Sequence, residues 1–283
     1  MPHSSGVENP DLYKYQSLCG YYPTKERLFE YTLCEGKLVS SKIYHKNGNL
    51  LHEVNLTDQG SLINAKEFFK NGNLKSTFEK NPTKDTQLLM GESYNGNSSL
   101  VYKGEFFDEK RCGFGTEYDS KGVNKYSGIW LDDKLQGQGI KFFENGHTMF
   151  EGNYDCGKKN GNGTSFYENG SKKYEGSWEN DLWHGKGKFY HSNGVPELDG
   201  EFWTGPDRFQ GMKYDEHGGK LCQGMFFYSK LHGDGIQYFP ENGNVKYKGS
   251  WKEDTWHGYG YLYHLSNFLF PIRRWWHEVP REL

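Results

Sequence analysis

From Tyr174 the chain reads Tyr-Glu-Gly-Ser-Trp, a ring, a polar residue, a glycine, a polar residue and a ring. Successive side chains of a strand point to opposite faces, so this order puts the rings and the glycine on one face and the polar residues on the other. The pattern returns at Tyr126–Trp130, with Ile129 as an apolar intrusion, and at Tyr247–Trp251. A polar stretch follows each run, then two glycines one residue apart. A second ring-bearing run such as Gly187-Lys188-Phe189-Tyr190 comes next and predicts the returning strand of a hairpin. Asn-Gly or a similar pair closes each unit. Both residues accept positive φ cheaply, so the pair predicts the turn into the next hairpin.

Seven such units begin at Tyr102, Tyr126, Phe150, Tyr174, Leu198, Cys222 and Tyr247. The starts are 24 residues apart except for the last step of 25, where Phe239-Pro240-Glu241-Asn242-Gly243 holds the extra residue. The units at Tyr174 and Tyr247 both read Tyr-x-Gly-x-Trp followed by Trp-His-Gly-x-Gly. The fifth unit departs, with Phe209 in place of the first glycine of the pair, which puts its local strand geometry in question. Fainter copies occur at Tyr44–Leu50, Phe68–Leu74 and Tyr94–Asn97. They predict three degenerate hairpins over about 28–101 that lack Gly-x-Gly. Residues 1–27 show no repeat and are expected to be a capping or mobile segment.

The aromatic-x-Gly start with its His-Gly-x-Gly core resembles the MORN repeat, firmly over 102–267 and as degenerate copies before that. The resemblance implies an all-β fold, an elongated, single-layer, twisted antiparallel sheet of tandem hairpins. Composition agrees. There are 37 Gly, 21 Tyr, 19 Phe and 8 Trp, and Ala65 is the single alanine. A mainly helical fold is therefore excluded.

Charge and chemistry narrow the function by exclusion. The net charge of −3 offers no positive field to hold nucleic acid. No apolar run approaches the roughly 20 residues of a membrane-spanning helix. No signal-peptide pattern is visible, and the five cysteines are odd in number without a Cys-x-x-Cys pair. Those features predict a reducing, cytoplasmic setting and not secretion. No nucleophile–base set, phosphate loop or cofactor motif stands out, so no enzyme activity and no cofactor are expected. His184, His232 and His257 share one repeat position. They lie in different hairpins, which favours hydrogen bonding at the turns over a shared metal.

The aromatic stripe is the candidate site. A single-layer sheet cannot cover every ring from both sides, and exposed Trp and Tyr are frequent interface anchors. Tyr126, Trp130, Tyr174, Trp178, Tyr247 and Trp251 are thus candidate partner-binding rings. Trp183 and Trp256, next to His-Gly near the hairpin tips, are expected to be the most exposed. Residues 268–283 break the period. They predict a cap over the last hairpin, or a docking segment for a partner or a second copy through Trp275 and Trp276. The expected function is a non-catalytic scaffold that binds an extended or helical segment of a partner protein. The MORN resemblance implies a cytoskeletal or ciliary assembly. Membrane-lipid binding through Arg273-Arg274 is the alternative, and the near-neutral charge weighs against it.

Overall fold

The computed structural model describes residues 15–81, 88–203, 205, 207–263 and 269–275, and every regular element among them is a β-strand. The chain divides into two compact units, 1–134 and 135–283. In the first, the strands are β1 (Tyr15–Tyr21), β2 (Arg27–Cys34), β3 (Lys37–Tyr44), β4 (Leu50–Leu56), β5 (Leu62–Phe68), β6 (Leu74–Lys80), β7 (Leu89–Tyr94), β8 (Leu100–Phe107), β9 (Lys110–Tyr118) and β10 (Asn124–Leu131). The second unit holds β11 (Lys134–Phe142), β12 (Thr148–Asp155), β13 (Lys158–Phe166), β14 (Lys172–Glu179), β15 (Leu182–Tyr190), β16 (Pro196–Phe202), β17 (Arg208–Tyr214), β18 (Lys220–Phe227), β19 (Lys230–Tyr238), β20 (Val245–Lys252), β21 (Thr255–Tyr263) and β22 (Leu269–Trp275). Within each unit, every strand pairs antiparallel with the next in sequence, giving a single layer of consecutive hairpins.

Residues 15–27, read from sequence as lying outside the array, belong to it. β1 pairs with β2 from Tyr15↔Cys34 to Tyr21↔Arg27. Residues 1–14 lie outside the described residues. At the other end, β22 pairs with β21 from Tyr263↔Leu269 to Gly258↔Trp275.

The core sits on one face and is made of rings laid over glycines. Tyr174 is fully buried. Gly176 and Gly187 face each other across β14 and β15, and the Tyr174 hydroxyl lies over both. That hydroxyl donates to the carbonyl of Ser177 at 3.0 Å, and burial raises its pKa. Trp178 meets the Tyr174 ring edge-on at 5.2 Å and the Phe150 ring of the preceding repeat at 5.2 Å. Its indole Nε1 donates to Gly163 O at 3.0 Å. Trp130 repeats the arrangement in the first unit, donating to Gly115 O at 3.2 Å and meeting Tyr102 edge-on at 5.5 Å. Such edge-to-face pairs each add about 0.5–1.5 kcal/mol beyond burial itself. Cys222 at the start of the sixth repeat is half-buried, and desolvation pushes its thiol up to about 11.

The two glycines of Gly-x-Gly have different duties. The second, such as Gly187, leaves room for the ring. The first makes a bulge. Between the pairs Gly176↔Gly187 and Trp178↔Trp183, only Ser177 faces the three residues His184, Gly185 and Lys186. Gly185 takes φ +62 to absorb the excess, and Gly113, Gly161 and Gly258 do the same in their hairpins. The fifth repeat is the control built into the chain. Phe209 replaces the first glycine, and β16 pairs with β17 with no bulge. Phe209 is buried and stacks between Phe202 at 5.4 Å and Phe226 at 4.4 Å.

Two-residue turns with both residues at positive φ form many of the hairpin tips, among them Asp108-Glu109, Asp132-Asp133, Cys156-Gly157, Asn180-Asp181, Tyr228-Ser229 and Glu253-Asp254. Asn, Asp and Gly tolerate this geometry best. Tyr228 and Ser229 hold φ 48 and 65 with no such advantage. Replacing the pair with Asn-Gly is expected to stabilise the chain by about 1–2 kcal/mol. An unchanged melting temperature would show that this turn carries no strain.

Successive tips are tied together. Asp181 N donates to Lys159 O at 3.1 Å, and Lys159 N donates back to Asp181 Oδ1 at 3.0 Å. Asp133 clasps Arg111 in this way, and Asp254 clasps Leu231. At the opposite ends of the strands, Asn145, Asn169 and Asn193 each donate through Nδ2 to the carbonyl of Glu168, Ser192 and Glu216, one repeat further on. Asn47 reaches Lys70 O likewise. Asp181→Ala is expected to cost about 1 kcal/mol, the worth of one hydrogen bond to backbone. Faster amide exchange at Lys159 in the variant checks it.

Candidate binding groove

The structure corrects the expected site. Tyr126, Trp130, Tyr174, Trp178, Tyr247 and Trp251 are all buried within the chain, where a partner cannot reach them. Trp183 and Trp256 are not free rings at the tips. Each is half-buried and lies flat on a core ring, Trp183 on Tyr174 at 4.9 Å and 10°, and Trp256 on Tyr247 at 4.6 Å and 11°. Trp275 lies in β22, and Trp276 falls outside the described residues.

Trp183 occupies a lid position that other repeats fill differently. Arg111 lies 4.0 Å over the Trp130 ring, and Lys159 lies 4.4 Å over Trp178. Leu231 fills the same place with an aliphatic side chain. Burial lowers the pKa of Lys159, and the carboxylate of Asp181 partly opposes the shift. The lid row is how a single layer covers its rings. Trp183→Ala is therefore expected to cost about 2 kcal/mol, below the range for a fully buried ring because one side of Trp183 is open. A melting temperature equal to the parent's would restore the reading of a free surface ring.

The opposite face of the sheet carries the residues between and beside the glycines, and here the accessible chemistry lies. In the first unit this face is charge-paired. Lys103 contacts Glu92 at 2.8 Å, and the Glu92 carboxyl is held below its usual range by Lys103 first and by the Tyr94 hydroxyl next. The stretch over β14–β16 is similar, with Lys188 on Asp199 at 3.1 Å. Toward β21 the character changes. A groove of about 930 Å³ runs across β17–β21, its floor the paired backbone of Gly211, Gly224, Gly235, Gly249 and Gly260. Tyr259, Tyr261 and Tyr263 line one end from a single strand, spaced two apart and so on one face. Tyr259 is 67% exposed and Tyr261 52%. Gln210, Gln223, Ile236 and Lys248 complete the walls together with Asp234.

Reading by repeat concealed this site. Tyr259 is the middle residue of Gly-x-Gly and Tyr261 follows the pair, both out of phase with the core rings. The equivalent residues after Tyr174 are Lys186 and Lys188. The legible signal was three tyrosines at alternate positions in Tyr259-Gly260-Tyr261-Leu262-Tyr263.

The repeat-position histidines do not converge. His184 Nδ1 sits 3.4 Å from Trp203 O, and His232 packs edge-on against Phe227. Among the described residues no cluster of three His, Cys, Asp or Glu could hold a metal ion.

The MORN repeat model matches residues 102–123, 126–148, 174–195 and 247–263, and a MORN repeat variant matches 159–180. No curated protein matches the chain. Among solved structures, the Tc holotoxin pore of Photorhabdus luminescens is similar over 82% of this chain at 10% identity, with a TM-score of 0.20. This chain spans 14% of that one, and so loose a superposition bears on neither fold nor function. The family matches, the 24-residue register and the hairpin-by-hairpin pairing agree: the chain is a MORN-repeat protein, with its matched repeats between residues 102 and 263.

Proposed function

We propose that this protein is a non-catalytic scaffold that holds an extended segment of a partner protein in the tyrosine-lined groove over β17–β21. The exposure of Tyr259 and Tyr261 carries the proposal. Large rings standing in a concave surface are anchors that lose little entropy on binding. The floor favours an occupant that brings side chains and not a strand. Its backbone is already engaged in the ladder, so a partner cannot add to it by pairing. The walls carry one lysine and one aspartate, too little positive charge for an anionic lipid surface. On the strength of family resemblance, the proposal extends to a cytoskeletal or ciliary assembly.

Panning a random peptide library on the full chain tests the groove, with the Tyr259→Ala/Tyr261→Ala double variant as counter-screen. Selected peptides should bind the variant at least about tenfold more weakly, as expected when hot-spot rings are removed, with no loss of melting temperature. Equal binding to both proteins would place the site elsewhere.

A further inference from the structure

We infer that Asn95-Gly96, in the turn between β7 and β8, is a site of spontaneous covalent modification, at which Asn95 loses its amide and becomes aspartyl or isoaspartyl. Nine asparagines of the chain precede a glycine, the pair that cyclises most readily because glycine has no side chain to hinder attack. In the reaction the Gly96 amide nitrogen, its proton taken by base, attacks Cγ of Asn95. The N–Cγ bond forms, the Cγ–Nδ2 bond breaks, and Nδ2 takes up a proton and leaves as ammonia. Water then opens the succinimide at one of its two carbonyls. Opening at Cγ restores the ordinary backbone with an aspartate side chain. Opening at the backbone carbonyl carries the chain on through Cγ as isoaspartate. Nothing is oxidised or reduced, and water is the one co-reactant.

The fold holds most of these pairs closed. In five turns the asparagine is the third residue and the glycine the fourth. There the glycine N–H donates to the carbonyl of the first residue, as Gly48 does to His45 O at 2.8 Å and Gly170 to Tyr167 O at 2.9 Å. The amide that would leave is tied as well, because Nδ2 of Asn47, Asn71, Asn145, Asn169 and Asn193 donates to a carbonyl one repeat further on. Asn242 keeps half of this protection. Among the described residues its Nδ2 has no acceptor, but Gly243 N donates to Phe239 O at 2.8 Å. Asn160 and Asn162 lie inside the paired strand β13.

Asn95-Gly96 is shifted by two places. Asn95 is the first residue of its turn and Gly96 the second, so the bond that closes the turn runs from Ser98 N to Asn95 O at 2.9 Å. Gly96 is exposed, and among the described residues neither its N–H nor Asn95 Nδ2 has an acceptor. Nucleophile and leaving group are both released. The electrophile is also prepared, since Asn95 Oδ1 accepts from Asn97 N and from Ser99 N, each at 3.0 Å. These two N–H groups face the negative charge that collects on Oδ1 as the nitrogen adds, in the manner of an oxyanion hole. Asn47 Oδ1 has one such backbone donor, Asn49 N. The product fits the turn. Asp119 and Asp215 stand at the first place of their own turns and accept from the same two backbone positions, at 2.8 and 2.9 Å in each case. Those bonds hold both carboxyls below their usual range, the Val123 amide foremost on Asp119 and the Gly219 amide on Asp215. The isoaspartyl form instead lengthens the backbone and displaces the Gly96 carbonyl, which Asn71 and Asn73 grip from the preceding turn.

The test is incubation of the folded full chain in mildly alkaline buffer, followed by peptide mapping with mass spectrometry, which reads the conversion of amide to acid at each asparagine. Asn95 should convert at least about tenfold faster than Asn47, Asn71, Asn145, Asn169 or Asn193, a factor within the worth of one oxyanion donor, with Asn242 between. In denaturing urea the differences should collapse, because the fold creates them. Gly96→Ala places a methyl group beside the attacking nitrogen and should slow conversion at Asn95 several-fold. The added carbon meets nothing within 4 Å, and a circular dichroism melt equal to the parent's confirms that the turn is kept. Equal rates at all the Asn-Gly pairs of the folded chain overturn the inference. So does faster conversion at Asn242 than at Asn95, or a spread of rates that urea leaves unchanged.

Discussion

Trp178→Ala is expected to lower the stability of the second unit by about 3–5 kcal/mol, the range for truncating a buried aromatic. The ring is buried between two repeats, edge-on to Phe150 of one and Tyr174 of the other. Its removal leaves a cavity at that seam and takes the indole donor from Gly163 O. It also strips the support beneath Lys159, whose amino group lies 4.4 Å over the ring. Denaturant melts of the full chain give the magnitude, and amide exchange in β13–β15 should show the loss to be greatest there. A loss under about 1 kcal/mol would mean that the ring ladder is not the core.

Gly176→Ala should rival that effect although it adds only a methyl group. An added Cβ would lie 2.6 Å from Gly187 Cα and 2.6 Å from Lys186 O. These are backbone atoms of the paired strand, so they can move only by opening the hairpin. A cost of about 3 kcal/mol is expected, the upper end for overpacking. Gly170→Ala is the comparison. Its φ is +85 with nothing within 4 Å of the added carbon, so the penalty is conformational alone, about 1–2 kcal/mol. Melting both variants side by side separates crowding from backbone strain. Equal losses would assign both glycines to φ.

The period revealed the fold because each repeat must solve the same local problem: a ring needs a glycine beneath it and a turn needs Asn-Gly or its like. Tyr174, Gly176 and Gly187 are all visible in one 24-residue window. The site was not legible by the same route. The argument that a single layer leaves its core rings uncovered overlooked the lid row, in which Arg111, Lys159 and Trp183 cover rings although they share no chemistry. A position filled by Arg, Lys and Trp has no pattern to recognise. Once the in-phase core rings are covered, accessible rings such as Tyr259 and Tyr261 stand out of phase with them. β1 escaped notice for a related reason. Its Tyr15, Leu18 and Tyr21 are exposed, so its place in the sheet rests on backbone pairing that hydropathy does not register.

The clasps at the two ends of the strands have a consequence for how such a chain can change over generations. Asp181 reaches back one hairpin to Lys159, and Asn169 reaches forward one to Ser192; neither reaches further. A tandem duplication of residues 172–195 would therefore arrive with both of its fasteners and find matching sockets on either side. It would add two strands, and with them about 10 Å of sheet, at a stroke. Length in this architecture is inherited in whole increments, like links added to a watch strap, while the chemistry of each link drifts on its own. Charge-paired links around Lys188 and tyrosine-lined links around Tyr261 are what such independent drift leaves behind.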